Sequence, residues 1–148
     1  IVFSNFTDSL NKIYEHFKKN AVKLDGSSTM KQRQDSVDKF QNEDKIKVFV
    51  GNIKAAGVGI TLTSGDVVIF NDLSFVPADH SQAEDRAYRI GQKNSVSVLY
   101  PIFENTIEGI IYDMLDRKKK IISTVLGDNL IETDTTEDIL TQILNFGK

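Results

Sequence analysis

Short apolar runs alternate with segments of helical period along most of this chain. The runs are separated by amphipathic or glycine-rich stretches, and they occupy residues 1–6, 21–24, 47–50, 67–70 and 95–103. Because parallel strands need a crossover between them, this alternation predicts an α/β fold, with a mostly parallel sheet and helices on both faces. The run at 67–70 is apolar throughout, which is typical of a strand covered on both faces. We expect ligands beyond the carboxyl ends of the strands.

Capping residues predict where the helices begin and end. Residues 7–9 offer N-caps for the first helix, and Thr29-Met30-Lys31-Gln32 is a capping box that opens the second. Pro77 suits the first position of a helix that we expect to run to Ile90 and to end at Gly91.

The composition excludes several functional classes. The 148 residues include no cysteine and two histidines, which argues against a disulfide framework, a thiolate metal site and a histidine-rich metal centre. No apolar run approaches the roughly 18–20 residues that span a bilayer, and we find no signal peptide. We therefore expect an intracellular protein with no membrane partner, nuclear in a eukaryote and cytoplasmic in a prokaryote or phage. With a net charge of −3, a nucleic-acid partner must meet a local basic surface.

The nucleotide-binding motifs of self-contained enzymes are missing. The chain has no G-x-x-x-x-G-K-[ST] loop and no G-x-S-x-G elbow. Gly57-Val58-Gly59 begins a G-x-G-x-x-G pattern, but the third glycine is absent. If the chain takes part in phosphate chemistry, it supplies half of a site.

One predicted helix carries a cluster of donors. Gln82, Arg86 and Arg89 follow the spacing i, i+4, i+7, which places them on one helical stripe. A neighbouring stripe is small and apolar and would pack on the sheet; it consists of Ala83, Ala87 and Ile90. Two arginines on one rigid face suit phosphate oxygens. The alternative is a solvated face, on which the arginines form surface ion pairs with neighbouring acidic residues.

Five segments together resemble a known family. The string at 82–92, QAEDRAYRIGQ, is similar to motif VI of the Swi/Snf-related DNA translocases, a branch of the superfamily two helicases. Residues 54–63 resemble their motif V, 2–6 their motif IV, 24–28 with Arg33 the segment after it, and 106–108 with 118–127 their closing helix. The order and spacing agree from residue 1 to about 128, and the annealing-helicase-like and bacterial branch is nearest. Three positions depart from the family: Tyr88 replaces a usual His, Phe75 a Trp and Asn5 a Gln.

The resemblance implies a three-layer RecA-like lobe at 1–128. Residues 129–148 would form a C-terminal extension whose amphipathic helix packs on that lobe. The chain opens in mid-strand, which we take as a sign of a longer protein. By resemblance, it would be the second motor lobe of an ATP-dependent translocase on double-stranded DNA. A missing first lobe of the same protein would carry the P-loop and the Mg²⁺ carboxylates, so ATP and Mg²⁺ belong to the complete enzyme and neither is expected on this lobe alone.

The resemblance also implies roles for single residues. Arg86 and Arg89 would be catalytic arginine fingers, while Gln82 and Gly57 would contact ATP beside them. We expect the DNA backbone to be gripped, without sequence readout and without a metal site, by Asn5, Gly26, Ser27, Ser28, Arg33, Lys54 and Gly59. The basic run at 117–120 is either a solvated face or a further DNA contact.

Two other functions stay open. The chain could be a non-catalytic interaction module that keeps a RecA-like shape as a scaffold, although the intact Arg86 and Arg89 argue against this. It could also belong to a superfamily two helicase that separates strands, although the Arg-Ile-Gly-Gln ending of motif VI favours a translocase.

Overall fold

The computed structural model of the chain describes residues 1–56, 59–103 and 105–125. Strands and helices alternate in the order β1 Val2–Ser4, α1 Thr7–Phe17, β2 Ala21–Leu24, α2 Met30–Asn42, β3 Val48–Asn52, α3 Ile53–Ala56, β4 Val67–Phe70, α4 Pro77–Ala87, β5 Ser97–Leu99 and α5 Ile107–Val125, with a 3₁₀ turn at Lys18–Asn20 after α1. The prediction of alternating strands and helices is confirmed.

All the strand pairs described are parallel. The order across the sheet is β2-β3-β1-β4-β5, and Val2 of the central strand lies opposite Val50 on one side and Ile69 on the other. The path goes from β1 to the edge at β2 and then turns back. Because crossovers are right-handed, this reversal places α1 on one face of the sheet and α2 and α4 on the other. The predicted sheet with helices on both faces is confirmed.

Aromatic rings fill the space around the central strands. Phe3, Phe49 and Phe70 have no exposed surface, and the centroids of the Phe3 and Phe70 rings lie 5.6 Å apart. Phe40 of α2 meets Phe49 edge-on at 5.5 Å. Gly51 is required here because a Cβ at this position would lie 3.0–3.2 Å from the Phe49 ring, the Phe3 ring and the Ala56 side chain. Burial of these rings supplies much of the hydrophobic stabilisation.

Three element boundaries differ from the prediction. The first helix begins at Thr7 with Phe6 at its N-cap and no side-chain cap, so the predicted capping by residues 7–9 is wrong. The Ser4 Oγ accepts a hydrogen bond from the Phe6 N–H at 3.1 Å, which fixes the turn that leads into α1. The last strand covers only Ser97–Leu99 rather than 95–103, because β5 is an edge strand that pairs with β4 alone.

The third difference concerns α4, which ends at Ala87 and not at Ile90. The Ala87 carbonyl accepts the Arg89 N–H at 3.1 Å and the Gln92 side-chain amide at 3.3 Å, so the chain turns one residue after the helix. Gly91 completes the turn with φ +106°, which favours glycine. As a result Ile90 is fully exposed, and its predicted place on the packed stripe is wrong, whereas Ala83 and Ala87 are fully buried as expected.

The chain divides into two compact units, one formed by Ile1–Ser74 with Ala78–Pro101 and the other by Phe75–Pro77 with the residues from Ile102 onward. In the second unit α5 buries Ile111, Met114 and Leu115, and Lys120 pairs with Asp116 at 2.7 Å. No described helix is long and apolar enough to cross a membrane. Gly57 and the predicted extension at 129–148 lie outside the described residues.

Candidate nucleotide and DNA sites

The two candidate finger arginines lie at the C-terminal end of α4 and just beyond it. Arg86 is half-buried, and its Nε–H donates to the Gln82 carbonyl at 3.1 Å. Arg89 is exposed, and its Nη1–H donates to the Thr61 hydroxyl at 3.2 Å. Neither arginine forms an ion pair with any residue that the structure describes. The described contacts therefore do not support the alternative in which surface ion pairs neutralise the two arginines. Both guanidinium groups keep their positive charge uncompensated by the acidic side chains described.

Arg89 lies outside the helix that was predicted to carry it. The helical stripe holds Gln82 and Arg86, with the Gln82 side chain exposed, but Arg89 follows the turn after Ala87. Its backbone direction is therefore set by the turn and not by helical period. Sequence spacing alone could not show this, because the helix end depends on the long-range contacts of Gln92.

The segment at 61–65 holds this turn in place. The Leu62 N–H donates to the Arg86 carbonyl at 2.8 Å. The Gln92 amide donates to the Gly65 carbonyl at 2.9 Å and so joins the same two stretches a second time. The candidate motif V and motif VI segments, about 25 residues apart in sequence, thus meet directly through main chain and side chains.

These arginines lie near the amino ends of the strands, which differs from the expected location. The helix α4 runs back from the carboxyl end of β4, and its last residues contact the segment that leads into the start of β4. Arg86 and Arg89 are therefore not among the loops that follow the carboxyl ends of the strands, where ligands are expected. Their position follows from the contact between the end of α4 and the 61–65 segment.

A hydrogen-bonded cluster does follow the carboxyl ends of β1 and β4. Asp72 accepts hydrogen bonds from the Asn5 N–H at 2.8 Å, from the Asn5 side-chain amide at 2.9 Å and from the Ser4 hydroxyl. The Asn5 amide group is thus oriented by Asp72 from the neighbouring strand. One N–H of that amide makes this contact, which leaves its second N–H and its carbonyl oxygen for a ligand.

Asn52 extends the cluster to β3. Its side-chain amide donates to the main-chain carbonyl of Asn5 at 3.2 Å, and its side-chain oxygen accepts the N–H groups of Lys54 and Ala55, each at 3.1 Å. This contact caps α3 and fixes the position from which the exposed Lys54 side chain extends. Sequence reasoning did not select Asn52, although an asparagine directly after an apolar strand is a recognisable capping signal.

Arg33 is a supporting contact in this structure. Its guanidinium donates to the Ala55 carbonyl at the end of α3, and its Nε is buried with no hydrogen-bond acceptor. The predicted charge at this position is therefore directed at the α3 turn. Because α2 carries Arg33 and α3 carries Lys54, the contact links the two predicted DNA segments.

The turn after β2 is organised by the Asp25 carboxylate. Its oxygen accepts the Ser27 N–H at 3.0 Å and the Ser27 hydroxyl at 2.6 Å, and Lys23 pairs with it at 3.0 Å. The hydrogen bond from the Ser27 hydroxyl is the largest of the causes that lower the pKa of Asp25 to about 2. The Ser28 N–H donates to the main-chain carbonyl of Asp25, so the N–H groups of both Ser27 and Ser28 are bonded within the turn.

The capping box at the start of α2 is confirmed. The Gln32 N–H donates to the Thr29 hydroxyl and the Thr29 N–H donates to the Gln32 side chain. Gly26 is exposed with open space around its Cβ direction, and Gly59 is exposed with φ +69°. A side chain at Gly59 would be strained by this backbone conformation rather than by crowding.

The side chains described do not form a metal site. No group of three or more His, Cys, Asp or Glu that could hold a metal ion occurs in the described ranges. His80 is buried, with its ring 4.7 Å from that of Phe70, and its Nε2 lies 3.1 Å from the Ser74 nitrogen. His16 is exposed on α1. His80 is thus a buried core residue and His16 a surface residue.

The sequence matches the family model described as the helicase conserved C-terminal domain over residues 1–91. The chain belongs to the helicase C-terminal domain family. The match contains every residue that sequence analysis assigned to the nucleotide and DNA sites, from Asn5 to Arg89. The confirmed α/β architecture and the meeting of candidate motifs V and VI agree with this membership.

The relatives of this helicase C-terminal domain include an ATP-dependent helicase and a SWI/SNF-related regulator of chromatin. It is 36% identical over 148 residues to the ATP-dependent helicase fft2 of Schizosaccharomyces pombe, covering 98% of this chain and 12% of that protein. It is 42% identical over 118 residues to a SWI/SNF-related matrix-associated actin-dependent regulator of chromatin subfamily A-like protein 1 homolog of Caenorhabditis elegans, covering 80% of this chain and 16% of that protein. The chain thus spans only about an eighth to a sixth of these relatives.

A solved structure gives the fold independently. The helicase C-terminal domain resembles the crystal structure of the C-terminal part of the Fun30 ATPase domain, with a TM-score of 0.71 and 33% identity. The likeness covers 90% of this chain and 40% of that one. The resemblance to Swi/Snf-related proteins is confirmed by these comparisons, as is a RecA-like α/β fold.

Proposed function

We propose that this helicase C-terminal domain is the second motor lobe of an ATP-dependent translocase on double-stranded DNA. The observation that carries the proposal is the pair Arg86 and Arg89, which have no acidic partner among the described residues and are fixed against the 61–65 segment. The chain has no P-loop, so such arginines fit an ATP molecule held by a separate lobe. Helicase relatives that extend far beyond this chain support the same arrangement.

The chemistry proposed for the arginines is stabilisation of transition-state charge. Bound ATP with Mg²⁺ supplies the phosphoanhydride bond that is hydrolysed. The donors of this chain fit a triphosphate, since Arg89 presents a planar exposed guanidinium and Arg86 lies one turn before it. Exposed Gln82 and, from the sequence alone, Gly57 complete the proposed contacts with ATP. The described residues hold no acidic cluster for Mg²⁺, so its ligands would come from elsewhere in the enzyme.

The proposed DNA surface is the edge formed by the carboxyl ends of β1, β2 and β3. Asn52 joins Asn5 to Lys54, and Arg33 braces the same turn. Exposed Gly26 and Gly59 would allow a phosphate backbone to approach closely, and Ser27 and Ser28 directly follow Gly26. The contacts available here are directed at phosphates and carry no base information, so we propose binding to duplex DNA without sequence preference.

Steady-state ATP hydrolysis by the full-length protein with saturating duplex DNA tests the proposal. We expect Arg89→Ala to lower kcat by on the order of 100-fold, because a finger acts mainly on transition-state charge. Arg89→Lys should not restore turnover, since an ammonium group cannot reproduce the planar fork. Lys93→Ala is the matched control, because Lys93 is an exposed cation four residues away. Near-normal turnover in both Arg86→Ala and Arg89→Ala would overturn the motor role and favour a scaffold.

A strand-separating helicase is the second candidate, favoured by the name of the similar ATP-dependent helicase fft2. A strand-displacement assay distinguishes the two. A translocase is expected to consume ATP on duplex DNA without releasing a labelled strand, and release of that strand would favour the helicase.

A further inference from the structure

The orientation of the Arg89 guanidinium depends on a contact from another segment, because Arg89 lies beyond the end of α4. The guanidinium extends from a turn, and a turn residue with an exposed side chain samples several rotamers unless something holds it. The contact that the structure provides is the hydrogen bond from Arg89 Nη1–H to Thr61 Oγ1, at 3.2 Å. Thr61 is half-buried, so its hydroxyl has less rotational freedom than the guanidinium that it meets.

Thr61 is itself held in place on both sides. Ile60 and Leu62 are buried, and the Leu62 N–H is bonded to the Arg86 carbonyl at 2.8 Å. Two residues farther, the Thr63 hydroxyl accepts the Gln41 side-chain amide at 3.0 Å, and the Ser64 N–H donates to the same side chain at 2.8 Å. The 61–64 segment is therefore anchored to α2 and to the end of α4, which makes the Thr61 hydroxyl a fixed acceptor.

We propose that Thr61 is a positioning residue for Arg89, and that its hydroxyl sets the direction in which the guanidinium meets the phosphate. The inference rests on the proposed function, because it needs Arg89 to act as a finger. A guanidinium has five N–H donors, so one can be given to Thr61 while the remainder stay available for phosphate oxygens. The contact lowers the entropy that must be lost when the transition state forms.

Variants of Thr61 distinguish the contribution of its hydroxyl group from that of its side-chain packing. Thr61→Val keeps the branched shape and removes the acceptor, while Thr61→Ser keeps the acceptor and loses a methyl group. Thr63→Val is the matched control, because it removes a hydroxyl from the same segment that contacts Gln41 and not the arginine. Any loss from general loosening of the segment should then occur in both valine variants.

The experiment measures kcat and KM for ATP in the full-length protein with saturating duplex DNA. We expect Thr61→Val to lower kcat about 5- to 10-fold with KM changed less than about twofold, because orientation matters in the transition state and little in ground-state binding. Thr61→Ser should restore kcat, and Thr63→Val should stay within about twofold of the wild type. Since Thr61 acts through Arg89, the double variant Thr61→Val/Arg89→Ala should be no slower than Arg89→Ala alone.

The outcomes separate this inference from the proposed function. If Arg89→Ala is inactive but Thr61→Val keeps normal turnover, the positioning role of Thr61 is overturned and the finger role of Arg89 stands. Equal losses in Thr61→Val and Thr63→Val, or multiplied losses in the double variant, would also overturn it. Normal turnover in Arg89→Ala would overturn both the proposed finger role of Arg89 and the positioning role of Thr61.

Discussion

At the scale of single residues, the candidate sites are built from side chains that hold one another. Asp72 orients Asn5, Asn52 caps the turn that carries Lys54, and Thr61 holds Arg89. The sequence identified residues that could meet a phosphate, since arginine, serine and glycine have recognisable chemistry. It did not identify Asp72 or Asn52 as their supports, because these contacts join strands that are neighbours only in the folded sheet.

Asp25 gives a prediction about stability and pH. Its pKa of about 2 in the folded protein lies below the ordinary aspartate value of 3.8. The carboxylate therefore stabilises the fold fully above pH 3.8, and this contribution is lost as the pH falls towards 2. We expect Asp25→Asn to unfold at lower denaturant concentration than the wild type at pH 6, with the gap narrowing towards pH 2.5. Denaturant unfolding of both proteins at several pH values measures this, and a gap independent of pH would contradict it.

At the scale of elements, local signals succeeded where the contacts are local. The capping box at Thr29 involves residues three apart, so the start of α2 was predicted correctly from sequence alone. Val68 and Phe70 of β4 and the small residues Ala83 and Ala87 are fully buried, as their chemistry predicted. Val67 is 39% exposed, so the prediction that the whole 67–70 run is covered on both faces is wrong at its first residue. The end of α4 was not predicted correctly, since it depends on a bond from Gln92 to Gly65, which lies 27 residues earlier.

The start of α2 gives a prediction at this scale. Thr29→Ala removes the acceptor of the Gln32 N–H and should destabilise the domain by about 1 kcal/mol. Thr29→Ser keeps the acceptor and should lose much less. Thermal unfolding of the three proteins is the measurement, and an equal loss in the alanine and serine variants would assign the effect to the threonine methyl group.

At the scale of the whole molecule, the proposed function makes this chain one lobe of a larger enzyme. The arginines lie near the amino ends of the strands, whereas the proposed DNA contacts follow the carboxyl ends. Lys54 lies in α3 beside the proposed DNA contacts, and Thr61 lies beside Arg89. This chain covers only 12% and 16% of the two relatives named above, so under the proposed function both ligands would be shared with a further lobe. We expect no ATP hydrolysis by the isolated chain, because its described residues contain no P-loop or acidic cluster.

DNA affinity gives a prediction at this scale. With a net charge of −3, binding must come from a few local cations and should weaken steeply with salt. Lys54→Ala should reduce the slope of log affinity against log salt by about 0.9, as expected for one phosphate contact. Arg33→Ala should lower the affinity but leave the slope almost unchanged, because this guanidinium is bonded to the Ala55 carbonyl. Titration of a labelled duplex at several salt concentrations measures both slopes. If Arg33→Ala reduced the slope of log affinity against log salt by about 0.9, as one lost phosphate contact does, Arg33 would itself contact a phosphate.

The central claim is that Arg89 stabilises the transition state of hydrolysis on ATP held by another lobe. The most direct measurement compares two affinities of the full-length protein with Mg²⁺ and duplex DNA present, one for a non-hydrolysable ATP analogue and one for ADP with aluminium fluoride, which mimics the transition state. We predict that Arg89→Ala weakens binding of the transition-state mimic by on the order of 100-fold and binding of the ATP analogue by less than about threefold. Equal weakening of both ligands, or no weakening of either, would contradict the account.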